Sequence, residues 1–119
     1  MRRGEIWWGA PALPGATRKR RPFVLVSDDA FNHNDLYPKV MVVHVTSVRR
    51  GGGPFAWEVP VPRGAAGLPQ PSVIKCGEVY TLLKAQIQER VGTLPDEYWE
   101  RLDRALGVAL GLRVAAQQG

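Results

Sequence analysis

Thirteen glycines and ten prolines in 119 residues set the tightest limit on what this chain can fold into. Breakers at that density exclude a long helical bundle and favour short strands joined by turns. The length allows one domain over residues 1–119, burying roughly two-thirds of the surface an unfolded chain exposes. Apolar residues at 45% and charged residues at 23% are ordinary for a globular protein and argue against disorder.

The hydrophobic pattern places the strands. Glu5–Trp8 opens the chain, and Pro11–Thr17 is a turn-rich loop that runs into Arg18-Lys19-Arg20-Arg21. Pro22–Ser27 is an almost continuous apolar run, as expected of a buried strand. Ser27-Asp28-Asp29 reads as a cap before a short turn. Lys39–Thr46 is the next strand, and Arg49–Pro54 is a loop with three successive glycines. Phe55–Val61 alternates and stops at Pro60 and Pro62, which suits an edge strand. Ser72–Cys76 with Glu78–Leu82, then Glu89–Gly92, complete the set, with a helical turn at Leu83–Gln86. Pro95–Leu112 is the one long helix, with Trp99, Leu102, Leu106, Ala109 and Leu110 at helical spacing. The expected architecture is mostly β (α+β): a small, curled antiparallel sheet or barrel with a C-terminal helix packed on it.

Net charge is +5, but residues 1–63 hold 10 Lys/Arg against 5 Asp/Glu, while residues 64–119 hold 6 against 6. This asymmetry points to a polyanionic partner, most simply a nucleic acid. The single cysteine, Cys76, permits no intrachain disulfide. No apolar run approaches a bilayer span, so the expected location is cytoplasmic with no membrane partner. Phosphate-binding loops, dinucleotide-binding glycine patterns and zinc spacings are all missing. Asp28, Asp29 and Asp35 are candidates for a divalent ion or, more simply, for capping and turns.

What remains is a basic loop feeding a buried strand. If Pro22–Ser27 pairs antiparallel with Lys39–Thr46, Arg21 lies beside Thr46 and Ser47 at one rim. Arg18, Lys19, Arg20, Arg49 and Arg50 would crowd the same edge. Guanidinium forks and hydroxyls suit a phosphodiester.

These residues also carry a resemblance. Arg3-Gly4-Glu5-Ile6-Trp7, Arg21-Pro22-Phe23-Val24-Leu25-Val26-Ser27 and Val43-His44-Val45-Thr46-Ser47 resemble the MazF/PemK family of toxin endoribonucleases. Gly67-Leu68-Pro69, Ser72-Val73-Ile74, Tyr80-Thr81-Leu82 with Lys84, and the helix Asp103–Leu112 extend the similarity in order along the chain. The resemblance implies an SH3-like barrel that forms a homodimer. It also implies metal-independent, cofactor-free cleavage of single-stranded RNA and neutralisation by a cognate antitoxin. It assigns catalysis to Arg21 and Thr46: Arg21 to stabilise the phosphorane, Thr46 to hold a phosphate oxygen or orient the attacking 2′-hydroxyl.

The chain departs from that pattern in two places. Ala16 stands where some members have a loop carboxylate, leaving no general base there. His44, two residues before Thr46 on the same strand face, is either a replacement base or a packing residue. Glu78 stands where many members carry Gln, and is a candidate acceptor for an exocyclic amine of a bound base. Trp57 is a candidate base-stacking residue or part of a dimer seam. Two alternatives use the same scaffold: a non-catalytic CcdB-like poison of DNA gyrase, and a plain nucleic-acid-binding barrel.

Overall fold

The structure is a computed structural model, and it describes residues 1–11, 19–48 and 53–112. Six strands, β1 (Glu5–Gly9), β2 (Arg21–Leu25), β3 (Lys39–Ser47), β4 (Glu58–Val61), β5 (Ser72–Leu83) and β6 (Ile87–Thr93), form one antiparallel sheet. Their order is β4-β5-β3-β2-β1-β6. The sheet is open, with β4 and β6 at its edges. Two α-helices accompany it: the one-turn α1 (Asp29–Asn32) and the C-terminal α2 (Trp99–Leu110). Among the described residues no helix is long and apolar enough to cross a membrane.

The sheet is buried on both faces, which is why β2 and β3 read as continuous apolar runs rather than alternating ones. Side chains still alternate sides. Ile6, Val24, Val43, Val45 and Ile74 face α2 and pack with Leu102, Ala105 and Leu106. Phe23, Leu25, Val40, Val42 and Leu82 build a second cluster, joined by the partly buried Trp7 and Tyr80. His44 shares the second side, its ring 5.6 Å from that of Phe23.

The helix is docked differently from the spacing's expectation. Its buried stripe is Leu102, Ala105, Leu106 and Gly107, preceded by Tyr98, while Leu110 is exposed and Trp99 only half-buried. Trp99 is instead held by the N-terminal segment, where Arg3 lies over its ring at 5.5 Å. Arg3 also pairs with Asp103 at 2.8 Å and donates to the Val26 carbonyl at 2.9 Å. The opening Arg3-Gly4-Glu5 thus has a structural task, tying the helix to the sheet. Gly4 adopts φ +91°, and a Cβ there would strike the Trp99 indole. Gly4→Ala is therefore expected to destabilise the fold by at least about 1–2 kcal/mol, measurable as a lower urea midpoint.

Asp28 caps α1 by accepting from Ala30 N at 2.9 Å, and Asp29 accepts from Arg3 N at 2.7 Å and Asn32 Nδ2 at 3.0 Å. The capping reading holds for Asp28, whereas Asp29 ties α1 to the N-terminal segment, and the expected turn is a short helix. Phe55 and Trp57 precede β4 instead of belonging to it. Glu58 Oε1 accepts from Phe55 N at 3.1 Å, which closes a turn over residues that alternate like a strand.

β5 is one strand with a defect. Its register with β3 jumps between Val43↔Val79 and His44↔Lys75, leaving Cys76, Gly77 and Glu78 unmatched. An odd number of extra residues reverses which side chains face which way. Ile74 and Cys76 therefore face α2, whereas Tyr80 and Leu82 join the opposite cluster.

Candidate active site

Pro22 shapes the site first. The β2–β3 register runs Phe23↔His44, Val24↔Val43, Leu25↔Val42, and begins one residue past the proline. Proline has no N–H to give a ladder, so β3 continues beyond that point without a recorded β2 partner. Continuing the register by two places sets Arg21 opposite Thr46. Arg21, Phe23, His44 and Thr46 lie on one side of the sheet by strand alternation. By that alternation Arg21 and Thr46 share the side away from α2.

Arg21 and His44 touch: Arg21 Nη1 is 3.4 Å from His44 Nε2. The other ring nitrogen, Nδ1, is 3.4 Å from Glu78 Oε1. Glu78 also accepts from the Tyr80 hydroxyl at 3.3 Å and pairs with Lys75 Nζ at 3.4 Å. Glu78 alternates with Tyr80 onto the side on which His44 lies, and the β5 bulge sets Lys75 opposite His44 as well. Arg21, His44 and Glu78 form a continuous line of polar contacts from β2 across β3 to β5.

The surroundings set the protonation states. Burial is the main influence on His44 and, with the Arg21 and Lys75 cations, holds its pKa below the ordinary 6.5, although Glu78 opposes it. Burial works to raise the Glu78 pKa, but the hydrogen bond with His44 and the charge of Lys75 outweigh it, so the carboxyl lies below its usual range. Burial, then the Glu78 charge, pushes the Tyr80 phenol up. Near neutral pH the cluster holds a neutral imidazole between a guanidinium and a carboxylate.

Thr46 Oγ1 is buried and has no hydrogen-bond partner among the described residues. An unpartnered buried hydroxyl costs about 1–3 kcal/mol. A cleft of about 70 Å³ opens beside it, lined by Thr46, Ser47, Glu58, Pro60, Val73 and Lys75. Lys75 is a residue that sequence reasoning missed. Its signal was available in its place on the strand now seen beside β3, where it pairs with His44.

The other expected site residues fare variously. Arg18, Arg49 and Arg50 lie outside the described residues, as does Ala16. Lys19 and Ser47 are exposed. Arg20 is engaged elsewhere: it covers the Trp8 ring at 4.6 Å and pairs with Glu89 at 3.4 Å. Trp57 is 40% exposed, stacks on Phe55 at 4.7 Å between centroids, and stands against Gly77, next to Glu78.

Residues 2–110 match the family described as PemK-like, MazF-like toxin of type II toxin-antitoxin system. A Mycolicibacterium smegmatis protein named "Probable endoribonuclease MazF" is 34% identical over 112 residues, covering 94% of this chain and 98% of that protein. Endoribonuclease MazF6 of Mycobacterium tuberculosis is 29% identical over 112 residues, covering 92% of this chain and 96% of its own. Among solved structures, the Mycobacterium tuberculosis toxin MazF-mt6 superposes with a TM-score of 0.75 at 26% identity, covering 92% of this chain and 99% of that one.

Proposed function

The chain belongs to the PemK-like, MazF-like toxin family of type II toxin–antitoxin systems, and on that premise we propose that it is an endoribonuclease that cuts single-stranded RNA by 2′-hydroxyl attack. The observation that carries the reading is the gathering of a guanidinium, a neutral imidazole and an unpartnered hydroxyl on one side of two neighbouring strands. Each group meets a need of the reaction.

His44 Nε2 takes the proton from the 2′-hydroxyl as its oxygen bonds to phosphorus. The bond from phosphorus to the 5′-oxygen then breaks, that oxygen takes a proton from water to leave as a 5′-hydroxyl, and the His44 imidazolium returns its proton to solvent. Arg21 donates to the phosphorane oxygens as their charge develops, with an N–H toward the departing 5′-oxygen. The Thr46 hydroxyl donates to a non-bridging oxygen and so gains the partner it lacks. Lys19, Ser47 and the stretches around Arg18 and Arg49-Arg50 hold flanking phosphates, and Trp57 with Phe55 offers an aromatic face to a base. The protein acts as a homodimer and is neutralised by a cognate antitoxin, in keeping with its family. No metal takes part in this scheme.

The test is incubation of the purified protein with a long single-stranded RNA in excess EDTA. Discrete fragments are expected. Intact RNA retarded on a gel favours a binding barrel, and intact RNA with no shift rejects the reading.

The direction of the His44 shift fixes the pH dependence. The base works unprotonated, and burial keeps it so. The cleavage rate should therefore hold its plateau below pH 6.5, the ordinary imidazole value, and then fall about tenfold per unit. Initial rates measured across the acid range check this. A limb centred above 6.5 contradicts the assignment.

A further inference from the structure

The proposed chemistry needs the His44 lone pair on one particular nitrogen, and two neighbours of opposite character select it. An Arg guanidinium has only donors, so the nitrogen it faces must accept. A carboxylate has only acceptors, so the nitrogen it faces must carry the hydrogen. Arg21 faces Nε2 and Glu78 faces Nδ1, each at 3.4 Å. Both demands are met by one neutral tautomer, hydrogen on Nδ1 and lone pair on Nε2.

Glu78 is itself held. Tyr80 donates to the same carboxylate oxygen that meets His44, at 3.3 Å, and Lys75 binds the other oxygen at 3.4 Å. The Phe23 ring lies 5.6 Å from the imidazole and 6.3 Å from the Tyr80 ring. These contacts hold both carboxylate oxygens toward β3 and β5.

We infer that Glu78 is a positioning residue for RNA cleavage, holding His44 in the Nδ1–H tautomer so that Nε2 faces the attacking 2′-hydroxyl. This rests on the reading of the site given above. The logic is that of a carboxylate that orients a catalytic imidazole and steadies its cation, with β5 supplying the carboxylate. When RNA binds, the phosphate takes the Arg21 donors and the 2′-hydroxyl takes Nε2, while the Nδ1–H bond to Glu78 stays.

Among the described residues, the charged groups facing His44 are Arg21 from β2 and Lys75 and Glu78 from β5, with Tyr80 reaching it through Glu78. Removing the one anion among them leaves two cations. Glu78→Gln keeps an acceptor for Nδ1–H but loses the charge, so the acid limb of kcat moves to lower pH with little change in KM. Glu78→Ala loses both, and kcat falls about tenfold or more.

A second readout needs no RNA. The chain has two histidines, so ¹⁵N resonances of the imidazoles, assigned with His33→Gln, report the His44 tautomer directly. The expected result is Nδ1–H in the native protein and appearance of the Nε2–H form in Glu78→Ala. An unmoved acid limb in Glu78→Gln, or an unchanged tautomer in Glu78→Ala, overturns the inference, as does a change in the cleaved sequence with the limb in place. If the native protein cuts no RNA, the endoribonuclease reading falls, and the nitrogen resonances still decide whether Glu78 sets the tautomer.

Discussion

Arg21→Ala is expected to lower RNA cleavage by about 10²–10³-fold, the usual cost of losing a donor aimed at developing charge, while the protein remains folded. Both halves follow from where Arg21 sits. It stands at the start of β2, half-buried, and the core is built by the residues after it, Phe23, Val24 and Leu25, all fully buried. The polar contact recorded for its side chain is with His44. Truncation therefore removes the guanidinium without opening a cavity, and the unfolding midpoint should stay within the small range typical of surface changes. Arg21→Lys should restore little activity, because an ammonium cannot offer two parallel donors to a phosphate. Cleavage by Arg21→Ala within about threefold of the native rate would remove Arg21 from the mechanism.

The second large effect concerns His44, where packing and chemistry must be separated. The ring is 7% exposed and lies against Phe23, so truncation to Ala would confuse the two. His44→Phe keeps an aromatic ring in that place and deletes both nitrogens. If His44 serves only to fill space, this variant stays active and folded. If Nε2 is the base, cleavage falls by about 10²–10⁴-fold with the fold intact. A loss below tenfold returns His44 to a packing role and leaves the 2′-hydroxyl to be activated by Arg21 and Thr46 alone.

The parts of this site differ in how plainly the chain announces them. Arg21 beside Thr46 follows from two apolar runs adjacent in sequence, since neighbouring strands usually pair antiparallel. His44 on the Thr46 side follows from a period of two. The meeting of His44 and Glu78 does not follow from either rule. It needs β5 to be recognised as the partner of β3 and its register to be fixed: the Val43↔Val79 pairing, taken one place further, sets Glu78 opposite His44, while three unmatched residues hand that place to Lys75. Gly77 is the single sign of them in a stretch that reads as two short strands, which is why the residue type of Glu78 alone suggested contact with a base.

The basic loop shows what a charge count leaves out. Charge counting takes Arg20 as one of a row of phosphate binders, and its side chain also lies over Trp8 and pairs with Glu89. Net charge carries no information about which cations already have partners. In the helix, the spacing rule found the element but took Trp99 as part of the stripe. Arg3 and Gly4 hold that indole against the N-terminal segment, a long-range contact that periodicity cannot contain.

The central claim is that one ribose-phosphate linkage is gripped between Arg21, His44 and Thr46 and opened by its own 2′-hydroxyl. The most direct measurement uses a short RNA containing the cleaved sequence, compared with the same strand carrying a single 2′-deoxy sugar on the 5′ side of the scissile phosphate. The account predicts a 2′,3′-cyclic phosphate and a 5′-hydroxyl from the first strand and no cut at that linkage in the second. Cleavage of the deoxy linkage at an undiminished rate, or products ending in a 5′-phosphate, would contradict it.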